Sequence, residues 1–487
     1  GSNDFQPPCF STEDICDYPG LVSSTAGQVE DTPFGVWLEE TWNRRQGCRK
    51  GLLEHVHVFR QVWGKEGSIG VEGHGRLIKR LCSHDSRVEL GRSFCKGLGT
   101  SFRSLMPNQT SVQPLSQETD ALVRGIADQF AIEGQYVVGE EVKSGHINST
   151  YLATYELEDG ERRRYILQRI NEKVFKDPLA VMRNVECVTS HINWKVLRKK
   201  RDLGGQTLSL YPHKTGRFYG YGEGGGIWRC YNYFEGCQTY DVVENTRQAF
   251  EAGHAFGAFQ DLVSDLPPDE IVETIPDFHH TRKRYEDLME AVERDSCERV
   301  DGVEKELEFV RRNEDVVDRL LQLREKGDLP LRITHNDTKI NNVLFDMETD
   351  EAVCVIDLDT VMPGLSLYDF GDLVRTAINP VAEDERDLAK VEMRAGIFEA
   401  LVEGYLASAG RVLNEAEVSQ MAFSGRLISI ELGMRFLTDH LNGDRYFRVH
   451  REHQNLDRAR TQLRLAEQIA NYEEPMSRFA LKVARAR

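Results

Sequence analysis

At 487 residues the chain is long enough to bury large cores and to hold two or three domain-sized units. Its 61 Lys and Arg against 79 Asp and Glu leave a formal charge of -18, which argues against a nucleic-acid or anionic-membrane partner, since either needs a basic surface. No apolar run reaches the ~18 residues of a membrane span, and the 10 cysteines contain no C-x-x-C pair, so zinc-ribbon and thioredoxin readings fall away.

The chain opens Gly1-Ser2 without Met, read as a fragment edge or tag remnant, and shows no basic-then-apolar secretory start. Cys187, Cys230, Cys237 and Cys354 fall in predicted helix and strand, where a buried free thiol is the usual role, and a cytoplasmic setting is expected. Residues 1–117 are read as an unassigned extension of disorder-prone composition, with scattered Pro, Gly and Ser. Residues 1–116 carry 13 basic and 13 acidic side chains, so the whole negative balance falls on the remainder. Gly64-Lys65-Glu66-Gly67-Ser68 lacks the upstream glycine and the Lys-Ser/Thr pair of a phosphate loop and is set aside. Leu105 to Gln117 has linker composition.

From Glu118 the pattern is regular. A helix over Asp120 to Phe130 precedes strands near Tyr136 to Val142, Thr150 to Leu157 and Arg164 to Ile170, the last two joined by an Asp159-Gly160 hairpin turn. Val181, Val185, Val188 and Ile192 give helical spacing to Pro178 to Arg198. Strands Thr207 to Tyr211 and Ile227 to Phe234, with the glycine-rich Gly222 to Gly226 as the hairpin tip between them, complete a small antiparallel sheet. Beyond Gly236 the expectation is mostly helix: Phe250 to Leu262, Glu304 to Arg324, Leu388 to Leu406, Glu415 to Leu441 and Asp457 to Tyr472. The fold class expected is α+β, a two-lobed protein-kinase-like arrangement with a sheet lobe over 118–236 and a helical lobe over 237–487, ATP lying in the cleft between them.

Thr334 to Asn342 carries the chemistry. His335, Asp337 and Asn342 stand at the spacing H-x-D-x-x-x-x-N, in which the Asp orients and deprotonates an attacking hydroxyl and the Asn reaches Mg²⁺. A hairpin turning at Met347 to Glu351 should return Asp357 beside them as a metal ligand, with Asp359 alternating onto the same strand face as a candidate ligand of a second ion. The literal Asp369-Phe370-Gly371 stands 32 residues after Asp337, too far for one hairpin, whereas Asp357 stands 20 after it. Asp369 is therefore read as a helix-start carboxylate or a brace of the catalytic loop.

The nucleotide side is less explicit. Lys143 to Tyr151, with Gly145, Ser149 and Thr150, suits a loop whose backbone N–H groups approach phosphate, although alone it reads as a hairpin turn. Where a third-strand lysine would stand, the chain has Gln168. Lys339 is then the first candidate for the missing charge, with Arg169 second and Glu186 able to orient Gln168. Tyr233, Phe234 and Glu235 form the expected connector, whose backbone would meet adenine.

Gly145-His146-Ile147-Asn148, Tyr165 to Asn171, Thr334 to Asn342, Ile356 to Gly364 and Gly433-Met434-Arg435-Phe436-Leu437 occur in that order. The chain thereby resembles the N-acetylhexosamine 1-kinases, of the aminoglycoside-phosphotransferase and choline-kinase-like family, over residues 118 to 470. The resemblance implies ATP and Mg²⁺ as cofactors and a neutral amino sugar as acceptor, with His146, Arg435 and Tyr446 as substrate residues and a further, less defined part for Asp277 to Thr281. The same catalytic words serve kinases of choline, homoserine or aminoglycosides, and a catalytically silent nucleotide-binding protein is the reading from outside the enzymes.

Overall fold

The structure, a computed structural model, describes residues 112–143, 147–199 and 207–487. Its first strand, β1 (Val112–Pro114), lies inside the stretch whose composition reads as linker; it pairs with β2 (Gln135–Val142) at the edge of the sheet. Between them runs α1 (Gln117–Ala127). Ser116 caps it by accepting the Thr119 N–H at 3.2 Å, and Val123, Ile126 and Ala127 are buried against the sheet.

β3 (Ser149–Glu156) and β4 (Arg162–Arg169) continue the antiparallel sheet through the expected turn, with Gly160 at φ +83°. The sheet order is β1-β2-β3-β4-β6-β5, where β5 is Gly220–Tyr221 and β6 is Ile227–Asn232. Gly222 to Gly226 forms the hairpin tip between β5 and β6, closed by the Gly222 N–H to Gly226 carbonyl bond at 2.8 Å. The expected strand over Thr207 to Tyr211 is not formed. Its one ladder pairing with β6 is an isolated bridge, Leu210 to Tyr231, and the edge place belongs to β5. Helix α2 (Pro178–Lys199) begins where Asp177 accepts the Ala180 N–H at 2.9 Å, with proline in its first position.

The chain leaves the sheet through residues 233–236 and forms β7 (Cys237–Gln238), which pairs with the catalytic hairpin. Below it lie α3 (Thr246–Val263), α4 (Thr281–Arg294), α5 (Glu304–Arg312) and α6 (Arg319–Glu325). β8 (Arg332–Thr334) enters the catalytic loop; β9 (Val343–Asp346) and β10 (Ala352–Val355) make the hairpin, and β11 (Met362–Gly364) returns against β8. α7 (Ser366–Ala377), α8 (Ala395–Ala409), α9 (Glu415–Ser419), α10 (Met421–Leu441) and α11 (Gln454–Arg485) complete the helical lobe. Among the described residues no helix is long and apolar enough to cross a membrane.

Three expected helices are interrupted. The one over Glu304 to Arg324 breaks at Asn313 into α5, a 3-10 turn over Glu314–Asp318 and α6. The one over Leu388 to Leu406 is a 3-10 turn over Leu388–Lys390 followed by α8. The one over Glu415 to Leu441 breaks at Gln420, after a short α9 closed by an Asn414/Glu417 capping box.

The helical core depends on close approach of α3 and α8. A Cβ at Gly404 would run into the Phe250 carbonyl, and Cβ atoms at Gly253 and Gly257 would meet the backbone at Leu401 and Tyr405. Gly404→Ala must therefore separate the two helices. We expect it to cost about 1–3 kcal/mol, as overpacking of a tight core does, read as a lower thermal midpoint; an unchanged midpoint would show that the helices separate freely.

Candidate active site

The catalytic loop is a tight turn with three tethers. Asn336, at φ +64°, occupies the left-handed region that Asn tolerates better than most side chains. Asp369, in the first turn of α7, accepts the His335 N–H at 2.8 Å and the Asn336 N–H at 2.7 Å, and its own carbonyl accepts the Thr338 hydroxyl at 2.5 Å. The His335 ring accepts the Asp337 N–H at Nδ1 (3.3 Å) and donates from Nε2 to the Ile356 carbonyl (2.9 Å), packed between Phe256 and Phe259. Asp369 is thus the loop's brace, the second of the two roles its position in the chain allowed.

The hairpin brings Asp357 back as expected. The Ile356 N–H donates to the Asn342 carbonyl at 2.9 Å, so both backbone polar groups of Ile356 are tied to the catalytic loop. Asp357 then turns at φ +64°, and Leu358–Thr360 form a 3-10 turn. That turn overturns the expectation that Asp357 and Asp359 alternate along one strand face. Asp359 is buried and engaged elsewhere: it accepts from Asn148 Nδ2 at 2.6 Å and pairs with Arg229 Nη1 at 2.5 Å.

Asp337 is fixed on both oxygens. Lys339 Nζ lies 2.6 Å from Oδ1 and Asn342 Nδ2 3.1 Å from Oδ2. Burial works upward on its carboxyl, but the Lys339 ammonium together with His335 and the Asn342 amide outweighs that and holds it below the ordinary range, so it is an anion. Asp357 is pushed the other way, up to about 7, first by burial and then by the charges of Asp359 and Asp337.

These residues fit a divalent cation. Among the described residues no three His, Cys, Asp or Glu side chains gather into a metal shell, but Mg²⁺ is typically held by one or two carboxylates plus substrate phosphates. Asp357, with its excess of neighbouring negative charge and with Asn342 tied alongside, has that character.

Gly145 and His146 lie outside the described residues. Thr150 is buried and accepts from Gln168 Nε2 at 3.1 Å, with Ser149 beside it at the start of β3. Gln168 Oε1 accepts two N–H groups of Arg229, at 3.1 Å from Nε and 2.8 Å from Nη2. Sequence reasoning missed Arg229; its signal was a charge in the apolar run Ile-Trp-Arg-Cys-Tyr, where a buried ion demands a partner. At the connector, Phe234 is buried, and Arg164 lies over the Tyr233 ring (4.3 Å) while its Nε reaches Glu235 at 2.8 Å.

On the helical lobe, Arg435 and Tyr446 come together. Arg435 sits over the rings of Phe278 and Phe447, 5.3 and 5.7 Å from their centroids, with Glu431 3.8 Å away. Glu431 is fully buried and takes His279 Nδ1 at 3.0 Å. His279 in turn lies 5.1 Å from the Tyr368 ring, next to the bracing Asp369. Tyr446 is 67 % exposed and packs on Phe447, held because Asp439 accepts the N–H groups of Arg445, Tyr446 and Phe447.

A model of the phosphotransferase enzyme family matches residues 138–409, more than half of the chain. The chain belongs to that family. Among solved structures this phosphotransferase is similar to an aminoglycoside phosphotransferase from Alicyclobacillus acidocaldarius (TM-score 0.51, 13% identity, 76% of this chain and 98% of that one). It is also similar to a microcompartment-associated aminopropanol kinase (TM-score 0.49, 18% identity, 73% and 98%). At these identities the likeness is one of fold: a sheet lobe followed by a helical lobe.

The brace can be tested directly. Asp369→Asn would turn an amide NH₂ toward one of the two loop N–H groups. The expected loss is about 1–3 kcal/mol, as for a buried donor left unpaired, seen as a lower thermal midpoint in the phosphotransferase. Loss of turnover at an unchanged midpoint would instead place Asp369 in the chemistry.

Proposed function

We propose that this phosphotransferase moves the terminal phosphoryl group of ATP to the anomeric hydroxyl of an N-acetylhexosamine, N-acetylglucosamine or N-acetylgalactosamine, giving the sugar 1-phosphate and ADP. The observation that carries the chemistry is Asp337, anionic and steered by Lys339 and Asn342 in a loop braced from two sides. In the transfer the sugar oxygen forms a bond to phosphorus, the bond to the leaving ADP oxygen breaks, and the sugar's proton passes to Asp337. Asn342 and Asp357 are the residues that would hold Mg²⁺, which supplies charge compensation to the phosphates. Lys339 keeps Asp337 ionised and offsets charge on the transferred group. Ser149, Thr150 and the 233–235 connector are the proposed nucleotide contacts.

The acceptor side supports a neutral substrate. The carboxylate nearest Arg435, Glu431, is buried and occupied by His279 and Arg435, so what remains is the Arg435 guanidinium, largely covered by Phe278 and Phe447, and the exposed Tyr446 ring. Such a face suits hydroxyls and an acetamide better than the cation of choline or an aminoglycoside. Together with the His146 word, which the amino-sugar branch shares, this favours the N-acetylhexosamine reading over kinases of other small alcohols.

A phosphorus NMR spectrum of protein incubated with ATP, Mg²⁺ and either sugar should show an anomeric phosphate. A 6-phosphate, or turnover with choline or homoserine alone, would sink the sugar 1-kinase reading. Asp337→Asn should lower kcat about 10²- to 10⁴-fold, the usual scale of general-base loss, with little change in affinity for a non-hydrolysable ATP analogue measured by calorimetry. Simultaneous loss of nucleotide binding would make Asp337 a metal or structural residue. Asp357→Asn should remove several kcal/mol of transition-state stabilisation at an unchanged thermal midpoint.

A further inference from the structure

β4 and β6 are paired so that Gln168 stands directly opposite Arg229. Arg229 is a fully buried side chain, and each of its guanidinium nitrogens has a polar oxygen beside it: Nε and Nη2 on Gln168 Oε1, Nη1 on Asp359 Oδ1. Gln168 passes the contact on to Thr150 of β3, and Asp359 also takes Asn148, whose own Oδ1 accepts the Asn171 N–H at 3.0 Å. One network therefore joins the start of β3, strands β4 and β6, and the turn that presents Asp357.

A buried ion pair is poor evidence for stability, because desolvation of two ions costs about what their attraction returns. Its placement is more informative. The charges of Asp359 and Asp337 both act on Asp357, and the neighbouring cations that oppose them there are Arg229 and Lys339. Lys339 is 2.6 Å from Asp337 and belongs to the loop. Arg229 alone of the two comes from the sheet lobe.

We propose that Arg229 is a positioning residue for the nucleotide–metal complex: from the strand beside Gln168 it supplies the charge that a third-strand lysine would bring, and through Asp359 it fixes the Asp357 turn against the phosphate-facing end of β3. The inference rests on the ATP and Mg²⁺ reading given above and is independent of the acceptor. Removal of the guanidinium leaves Asp359 buried without its cation, so the turn loses its anchor and an anionic nucleotide meets an uncompensated carboxylate.

The test is calorimetric titration of AMP-PNP in the presence of Mg²⁺, which needs no acceptor. Arg229→Gln should weaken binding about tenfold or more, Arg229→Lys several-fold, since the charge survives without the fork. In Arg229→Gln/Asp359→Asn the network becomes neutral, and most of the affinity should return, a non-additivity expected of directly coupled residues. Because relief of the unpaired Asp359 would also restore stability, the titration is repeated without Mg²⁺: weakening of equal size with and without the metal marks merely structural damage and overturns the proposal. A Kd for Arg229→Gln within twofold of wild type, or a double variant as weak as the single one, overturns the proposal. If Arg229→Gln does not fold, Arg229→Lys decides: a Kd within twofold of wild type overturns it. Failure of the wild type to bind AMP-PNP sinks the nucleotide reading and this inference with it, whereas binding indifferent to Arg229 sinks this inference alone.

Discussion

The site depends on one carboxylate that is spent on the backbone of the catalytic loop. Asp369 holds the two N–H groups that the left-handed turn at Asn336 would otherwise leave buried without partners, a cost of about 1–3 kcal/mol for each such group. It can do so because α7 is seated firmly: a Cβ at Gly371 would run into the Ser424 carbonyl and Ile428 of α10, so the two helices touch backbone to side chain. Burial pushes the Asp369 carboxyl up to about 6, against the pull of His335 and its N–H donors. The first turn of α7 also favours a negative charge there. Helix packing is thereby converted into the position of Asp337.

The same low-dielectric setting makes charge balance the second constraint. Three aspartates near one another are tolerable only with cations aimed at particular oxygens, and each cation here has a defined target: Lys339 on Asp337, Arg229 on Asp359. Asp357 has neither as a direct partner, and its carboxyl is pushed up to about 7 by burial and by the other two aspartates. The carboxylate of the three without a cation as direct partner is the one whose preceding residue, Ile356, is tied by both backbone groups to the catalytic loop. That combination is what a metal ligand needs: a fixed position and an unmet charge.

Much of this was legible in the chain because it is local. The spacing from His335 to Asn342, the hairpin turn near Asp350 and the long gap to Asp369 follow from short-range geometry, and the two lobes follow from a change of period near Gly236. What failed depended on backbone detail or on distant partners. The Asp357–Asp359 alternation assumed an extended strand, whereas the left-handed Asp357 starts a 3-10 turn and sends Asp359 to Arg229. Helix breaks at Asn313 and Gln420 were hidden by continuous helical periodicity. Thr207 to Tyr211 has strand composition, but only Leu210 reaches β6 in ladder geometry.

The loop after α10 repeats the device of the catalytic loop. Asp439 gathers the N–H groups of Arg445, Tyr446 and Phe447 and is itself held by Asn455 at 2.9 Å, so the loop after α10 is fixed by its backbone. Its side chains are left to face outward, Tyr446 most of all. Because Asp369 and Asp439 anchor different loops from different helices, substitutions around Tyr446 can alter the exposed surface without moving Asp337. A fold built this way separates a fixed catalytic loop from a surface that is free to change.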